Sequence, residues 1–400
     1  MPGTSVVERL VNGGILDSSA RDAEFAETLP RECYTSQEFY EYEQQVIWRK
    51  DWVCLGHVKQ IPRPGDYFTM EMGADPFIVI RDRDGGISAL SNVCQHRGMI
   101  IAEGTGTCDK LLVCPYHNWS YDMRGKLVGA PDMSKTRDFD RNRIRLPALK
   151  VEIWHGFIFG TYDQDAEPLG PRMREFEPYL ENFDLDSLEL LQAYSYTYDA
   201  NWKLGLENGL ECYHCSRLHR NTLACMPSRN SILDPLPHSD PGLVIQVKAT
   251  HKDATMTPPD YTALFPVLPK LTDDERHLFT LVAVLPSLVL SCGVDSVHYF
   301  ASFPMGPAKT QTLTGWLYPS STLELPNFKE LFDHQVEVHK PIIDEDNFAC
   351  MGVQRGMQSA FAPRGRLSWQ EDHIAHVNRW VVSRYKQTAN GSSHRANGVK

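Results

Sequence analysis

Cys94-Gln-His96-Arg97-Gly98 and Cys114-Pro-Tyr-His117-Asn118-Trp119 decide how this 400-residue chain is read. Together they spell C-x-H-x17-C-x2-H, a cysteine and a histidine twice over. Two thiolates and two imidazoles suit two irons of unequal character. In one form of [2Fe–2S] cluster, one iron takes two Cys and the other two His, and the neutral imidazoles raise the potential above that of an all-Cys cluster. A tetrahedral zinc site is the alternative for the same donors. Zinc fingers usually keep both Cys in one pair and both His in the other, whereas each pair here is mixed. Gly98 and Pro115 also suit tight loops whose backbone N–H groups face sulfide. These features favour the cluster.

The two stretches, with Trp119, Tyr121, Asp122 and Gly125 after them, resemble the Rieske domain of the Rieske non-haem iron oxygenases. High-potential respiratory Rieske proteins carry an extra Cys in each loop, forming a disulfide; Met99 and Tyr116 stand in those places here, which favours the oxygenase or ferredoxin branch. The resemblance implies Cys94, His96, Cys114 and His117 as ligands of a Rieske [2Fe–2S] cluster.

Composition bounds the rest. Four hundred residues suffice for two or three domains, and 42% hydrophobic with 23% charged residues is ordinary for a globular protein. A net charge of −11 argues against nucleic acid as a partner. No apolar run reaches the roughly 18–20 residues of a membrane span, so no membrane partner is expected. The N-terminus lacks a basic region followed by an apolar stretch, so no signal peptide is expected. Ten Cys are too sparse for a disulfide scaffold, and a cytoplasmic setting with free thiols follows.

Along the chain, Thr35-Ser-Gln-Glu38 has capping-box spacing before a helix over about 36–50. Phe77–Ile80 and Ile87–Val93 flank Asp84-Gly-Gly86, a hairpin signal whose second strand leads into Cys94. Val151–Phe159 reads as a closing strand. Residues 40–165 thus form an all-β cluster domain, with 1–39 as an arm and helix start packing on the second domain. Residues 166–171 are a linker, and 166–388 a second domain. There, Leu188–Asp199, Leu278–Leu290, His298–Phe303 and Thr310–Tyr318 read as antiparallel strands. Trp202–Leu218 reads as helical, and a long helix over about 326–357 should kink or break at Pro341. Ser368-Trp-Gln-Glu371 caps a last helix reaching about Lys386, and residues 389–400 read as a disordered tail. The class is α+β.

The second informative stretch is Glu207-Asn-Gly-Leu-Glu211-Cys-Tyr-His214-Cys-Ser-Arg-Leu-His219. An H-x4-H pair with a distant carboxylate can make a 2-His-1-carboxylate facial triad with open positions on Fe(II). Residues five apart on a regular helix diverge, so converging both His requires a π-bulge or helix end, expected between His214 and His219. Cys212 and Cys215 offer a rival zinc set with the two His, disfavoured because Cys212 and His214 would face different sides of a helix.

Asn201-Trp202-Lys203, Glu207-Asn208, Glu211, Tyr213, His214 and His219 resemble the catalytic iron segment of Rieske oxygenase α subunits. The resemblance implies a helix-grip (START/Bet v1-like) catalytic domain with an antiparallel sheet and mononuclear Fe(II) on His214 and His219. It places the third ligand in Asp344-Glu345-Asp346, before Gln354-Arg-Gly356; Asp346 is the first choice and Asp344 the second. Asn208, Glu211 and Tyr213 are the further catalytic candidates. Many members have Asp at the position of Glu211, bridging a cluster His of one subunit to an iron-ligating His of the next. Glu here is as in the branch acting on choline, carnitine and glycine betaine. That role implies a ring, most simply a homotrimer. The family also implies O2, a small substrate and a separate NAD(P)H-dependent reductase carrying flavin and [2Fe–2S], since no nucleotide fingerprint appears in this chain. Substrate stays open between a quaternary ammonium compound, held by an aromatic cage drawn from Tyr196, Tyr198, Phe303, Trp316 and Phe361, and an aromatic acid. The alternative function is an electron carrier whose C-terminal domain binds a partner without catalysis.

Overall fold

A computed structural model describes residues 5–232 and 241–395. The chain divides into two compact units, Trp48–Gly170 and Met1–Ile47 with Pro171–Lys400. The helix opening at Gln37 therefore lies in the second unit, and the boundary falls at 47 rather than near 40.

The first unit is built from short antiparallel strands. β1 (Val53–His57) pairs with β10 (Phe157–Thr161), which pairs with β9 (Lys150–Trp154). β2 (Asp66–Met72), β3 (Asp75–Arg81), β4 (Ile87–Ser91) and β5 (Thr105–Thr107) form a four-stranded sheet in the order β4-β3-β2-β5. β6 (Leu112–Val113), β7 (Ser120–Tyr121) and β8 (Leu127–Gly129) form a three-stranded one. The 151–159 run read as one strand is a hairpin: His155 and Gly156 take φ of 46° and 79°, the paired left-handed residues of a tight two-residue turn. The apolar residues on both sides hid that turn. The core gathers Ile78, Ile80, Leu90, Trp119, Tyr121 and Leu127 directly beneath Cys94 and Cys114.

The second unit is one seven-stranded antiparallel sheet in a helix grip. Its strands are β11 (Leu188–Tyr198), β12 (Ser231–Ile232), β13 (Gly242–Lys248), β14 (Leu278–Val284), β15 (Leu288–Cys292), β16 (Val297–Gly306) and β17 (Lys309–Pro319), in the order β11-β17-β16-β15-β14-β13-β12. The 278–290 stretch is again a hairpin, and β13 was missed. Helices α1 (Gln37–Glu43), α2 (Trp202–Gly209), α3 (Cys215–Leu218), α4 (Phe328–Met357) and α5 (Asp372–Arg395) complete it. Ser36, one residue beyond the expected Thr35, caps α1 by accepting from Phe39 N–H. The Ser368/Glu371 capping box forms as read. Helix α4 runs on through Pro341, since losing one backbone bond does not break a helix whose Phe328, Phe332 and His339 pack on Trp316 and Tyr318 of β17. Helix α5 reaches Arg395, so residues 389–395 continue it where a disordered tail was expected; adding turns to a formed helix needs no new nucleus. Residues 396–400 of that tail lie outside the described residues.

A buried ion pair ties this unit together. Lys203 Nζ and Glu43 Oε1 stand 2.6 Å apart with both side chains fully buried. Glu43 also accepts from Trp202 Nε1 at 3.2 Å and from the Tyr385 hydroxyl. Asn201 N–H donates to Gln354 Oε1 at 2.9 Å, and Gln354 Nε2 to the Tyr34 carbonyl at 3.0 Å. Helices α1, α2, α4 and α5 are thereby fixed to one another.

Candidate metal centres and substrate cavity

The two loops at the tip of the first unit repeat one backbone design. Cys94 N–H donates to Met99 O at 2.9 Å, and Gly98 N–H to Cys94 O at 2.9 Å. Five and four residues after Cys114 the same bonds recur: Cys114 N–H to Trp119 O at 2.8 Å, and Asn118 N–H to Cys114 O at 3.1 Å. Gly98 and Asn118, the residues that reverse the chain, have φ of 76° and 56°. Asn92 Oδ1 anchors the first loop by accepting from Ile101 and Ala102 N–H, a support that spacing alone did not reveal.

The donors meet the demands of a cluster. Both thiols are buried, and Tyr121 OH lies 3.3 Å from Cys94 Sγ. The His96 and His117 rings sit 4.7 Å apart, with His96 stacked on Trp119. Among the described residues, His96 Nδ1 is buried without a hydrogen-bond partner, which is unfavourable for a polar atom unless a metal meets it. His117 remains partly exposed beside exposed Tyr116.

In the second unit, the helix expected over 202–218 is interrupted. Helix α2 stops at Gly209, residues 210–214 turn, and α3 is a single turn of four residues. His214 is its N-cap and His219 its C-cap. The irregularity expected between the two His therefore lies at both ends of this turn, with regular backbone inside. Glu207, Glu211 and His214 accordingly do not share one helix. Glu211 Oε2 accepts the His214 backbone N–H at 3.2 Å, in place of an intrahelical acceptor.

This folding brings three donors together. His214 Nε2 and His219 Nε2 are 3.2 Å apart; Asp346 Oδ1 is 2.9 Å from the second and 3.6 Å from the first. Three ligands on one face of an octahedron, each roughly 2.1 Å from the metal, would be about 3 Å apart, so the triangle fits a facial triad. Each imidazole is turned by a carboxylate at its other nitrogen: His214 Nδ1 lies 2.5 Å from Glu211 Oε1, and His219 Nδ1 2.8 Å from Glu345 Oε2. Thr222 Oγ1 donates to the same Glu345 oxygen at 2.6 Å. Burial works to lower both His pKa values, but Glu211 and Asp346 on His214, and Asp346 and Glu345 on His219, outweigh it and raise them. The field that retains a proton there would also retain a metal cation.

Asp344 points away and pairs with Lys340 on the exposed side. Glu345, unassigned from the sequence, is a histidine-orienting residue. Of the catalytic candidates, Tyr213 is 53% exposed and is not among the residues lining the cavity beside the triad. Cys212 and Cys215 meet each other, with 2.7 Å between Sγ atoms, and stand off any common helix face. They do not join the donor group His214, His219 and Asp346.

The cavity has a volume of about 200 Å³. Helix α4 contributes His339, Ile342, Ile343, Asp346, Asn347 and Cys350, one face at helical spacing. The strands contribute alternate residues, such as Tyr196 and Tyr198, or His298, Phe300 and Ser302. Asn208, Glu211, Leu206 and Leu223 close it. Among the aromatic-cage candidates, Tyr196 and Tyr198 line it; Phe303 does not, Trp316 lines a side cavity, and Phe361 is 94% exposed. Phe279 and Phe300, not among those candidates, also line it. No Lys or Arg lines the cavity among the described residues, and residues 233–240 contain neither. No helix among the described residues is long and apolar enough to cross a membrane.

Comparison with known proteins agrees with both halves. Residues 51–142 match the Rieske [2Fe-2S] domain, and residues 185–387 match the ring hydroxylating alpha subunit (catalytic domain). The carnitine monooxygenase oxygenase subunit of Acinetobacter pittii is 33% identical over 377 residues, which are 90% of this chain and 95% of that protein. The glycine betaine monooxygenase oxygenase subunit of Pseudomonas aeruginosa is 32% identical over 54% of this chain and 50% of its own length. A solved structure of the quaternary ammonium Rieske monooxygenase CntA with L-carnitine superposes with a TM-score of 0.75 at 23% identity, over 92% of this chain and 98% of that one, a likeness of fold. A partner-binding electron carrier would not need a catalytic domain matched along its length. This chain belongs to the Rieske non-haem iron oxygenases, as an oxygenase α subunit with a [2Fe–2S] and a mononuclear iron cofactor.

Proposed function

We propose that this oxygenase acts on a small substrate presented to the cavity as a cationic or neutral group, with quaternary ammonium compounds as the leading class. Cys94, His96, Cys114 and His117 hold the cluster, and His214, His219 and Asp346 hold the mononuclear iron. The observation that carries the substrate reading is the lining of the cavity: among the described residues no Lys or Arg stands there to pair with an anionic substrate, and aromatic faces do. A cation gains from the faces of Tyr196, Tyr198, Phe279 and Phe300. An aromatic acid is the second reading, since the same walls suit a ring, but its carboxylate would lack a cationic partner.

Bound iron would supply a redox centre with open positions for O2 beside the substrate. The chain's own residues set the conditions. Glu211 and Glu345 fix the two imidazoles by holding their Nδ1 atoms. Leu206, Leu223 and Ile342 exclude water. Glu211 also accounts for electron delivery in this reading: in a homotrimer it accepts a hydrogen bond from His117 of the partner subunit while it holds His214. A separate NAD(P)H-dependent reductase feeds the chain, in a cytoplasm whose reducing conditions keep the cysteines outside the cluster as thiols.

Metal analysis with a substrate screen tests this. The protein should hold about three irons per chain, and Asp346→Ala should hold about two, with the cluster spectrum intact and turnover lost. With a surrogate reductase, O2 consumption should couple to trimethylammonium compounds. Coupling to benzoate or salicylate alone would refute the substrate reading, and retained activity in Asp346→Ala would refute the ligand assignment.

A further inference from the structure

Two buried histidines in the cavity wall have their tautomers fixed by neighbouring groups. His298 on β16 and His339 on α4 are 5% and 8% exposed, and both line the main cavity and a side cavity of about 20 Å³. Both rings pack on Trp316, His298 stacked at 3.8 Å and His339 edge-on at 4.9 Å.

Thr314 Oγ1 lies 2.7 Å from the Tyr299 carbonyl oxygen and 2.7 Å from His298 Nε2. A hydroxyl has one proton, and a carbonyl can only accept. Thr314 therefore donates to Tyr299 O, and His298 Nε2–H donates to Thr314. That leaves His298 Nδ1 bare. His339 Nδ1 lies 2.8 Å from the Gln335 carbonyl oxygen, so it carries the proton and Nε2 is bare. Burial keeps both rings neutral. It pushes His339 down to about 4 and His298 well below the usual range, with nearby His339 adding to the effect on His298. Among the described residues neither bare nitrogen has a hydrogen-bond partner, and neither is sealed inside the protein. The hydroxyls of Ser302 and Thr312 on the same wall are 2.9 Å apart and hydrogen-bond to each other.

We propose that His298 and His339 form an acceptor pair that reads an O–H or N–H donor on the substrate. The substrate is then a small neutral or cationic molecule bearing a hydroxyl or N–H group, and the pair determines specificity for it. This rests on the cavity being the substrate site and deepens the reading above. A site built around acceptors rejects analogues lacking the donor, because the acceptors are then desolvated without a partner.

The test is equilibrium binding to the iron-loaded holoenzyme with matched probes. Choline and propyltrimethylammonium differ by a hydroxyl in place of a methyl; phenol and toluene differ in the same way. In each pair that binds, the hydroxyl compound should bind at least about tenfold more tightly. His298→Phe and His339→Leu should each reduce that ratio to under about threefold. Cluster absorption and iron content serve as the fold check, and His339→Gln, which restores an amide oxygen as acceptor, should recover part of the ratio. Equal affinity within both pairs would mean that a water in the side cavity satisfies the two nitrogens, and would overturn the proposal. So would a hydroxyl preference that survives both substitutions. Preference for phenol over toluene with no binding of either ammonium compound would sustain the acceptor pair while refuting the quaternary ammonium reading.

Discussion

The cluster loops and the iron triad are assembled on different length scales. Cys94 and the Tyr121 hydroxyl that meets its sulfur are 27 positions apart, and all four cluster donors lie between residues 94 and 117. His219 and Asp346 are 127 positions apart and meet because α4 is clamped to α2 through Asn201, Gln354 and Tyr34. A local site inherits its geometry from turns, and a distant one from packing. Damage to the packing should therefore reach the iron and spare the cluster.

The largest effect that can break this contrast comes from Cys114→Ser. Cluster absorption and turnover should disappear, while about one iron per chain remains in the second unit. Simultaneous loss of that iron would show that the two sites are not separable. Next is Glu43→Gln, which leaves Lys203 buried without its counter-charge. Removing one member of a buried pair costs about 3–5 kcal/mol, so the thermal transition of the second unit should fall. Cluster bleaching, followed by absorbance, should stay in place.

Glu207 sharpens the contrast through pH. It accepts from Tyr34 OH at 2.7 Å, and burial pushes its carboxyl up to about 7 from an ordinary 4.5. Between those values the folded chain keeps a proton that the unfolded chain has released. The stabilisation is complete below about pH 4.5 and is lost as pH rises through 7, in total on the order of 3 kcal/mol. Glu207→Gln should flatten the melting temperature across this window, measured from pH 5 to 8; an unchanged slope would refute the assignment. The smallest effect is expected for Glu345→Gln, where loss of the carboxylate on His219 should weaken iron binding about 10–100-fold. Competition with a chelator would measure it, and the cluster should not respond.

The same difference in length scale governs what could be read in advance. The Cys/His spacing, the Ser368/Glu371 box and the hairpin turn at 84–86 are local signals, and each has its counterpart in the structure. The turns at His155–Gly156 and near Pro286 were lost because strands on both sides are equally apolar. Asp344, Glu345 and Asp346 are consecutive on a helix, so their side chains point about 100° apart. Packing alone decides that one faces Lys340, one His219 and one the cavity. The Glu43–Lys203 hub joins residues 160 positions apart and left no mark in either local sequence.

Gly98 and Asn118 occupy equivalent places in the two cluster loops, both left-handed, and a Cβ built on Gly98 would have no heavy atom within 4 Å. The second loop thus demonstrates, inside the same molecule, that a side chain is compatible with that bend. Position 98 offers mutational room at the rim of the cluster: polarity around one pair of ligands could be varied there, asparagine first, without redrawing the backbone that holds them.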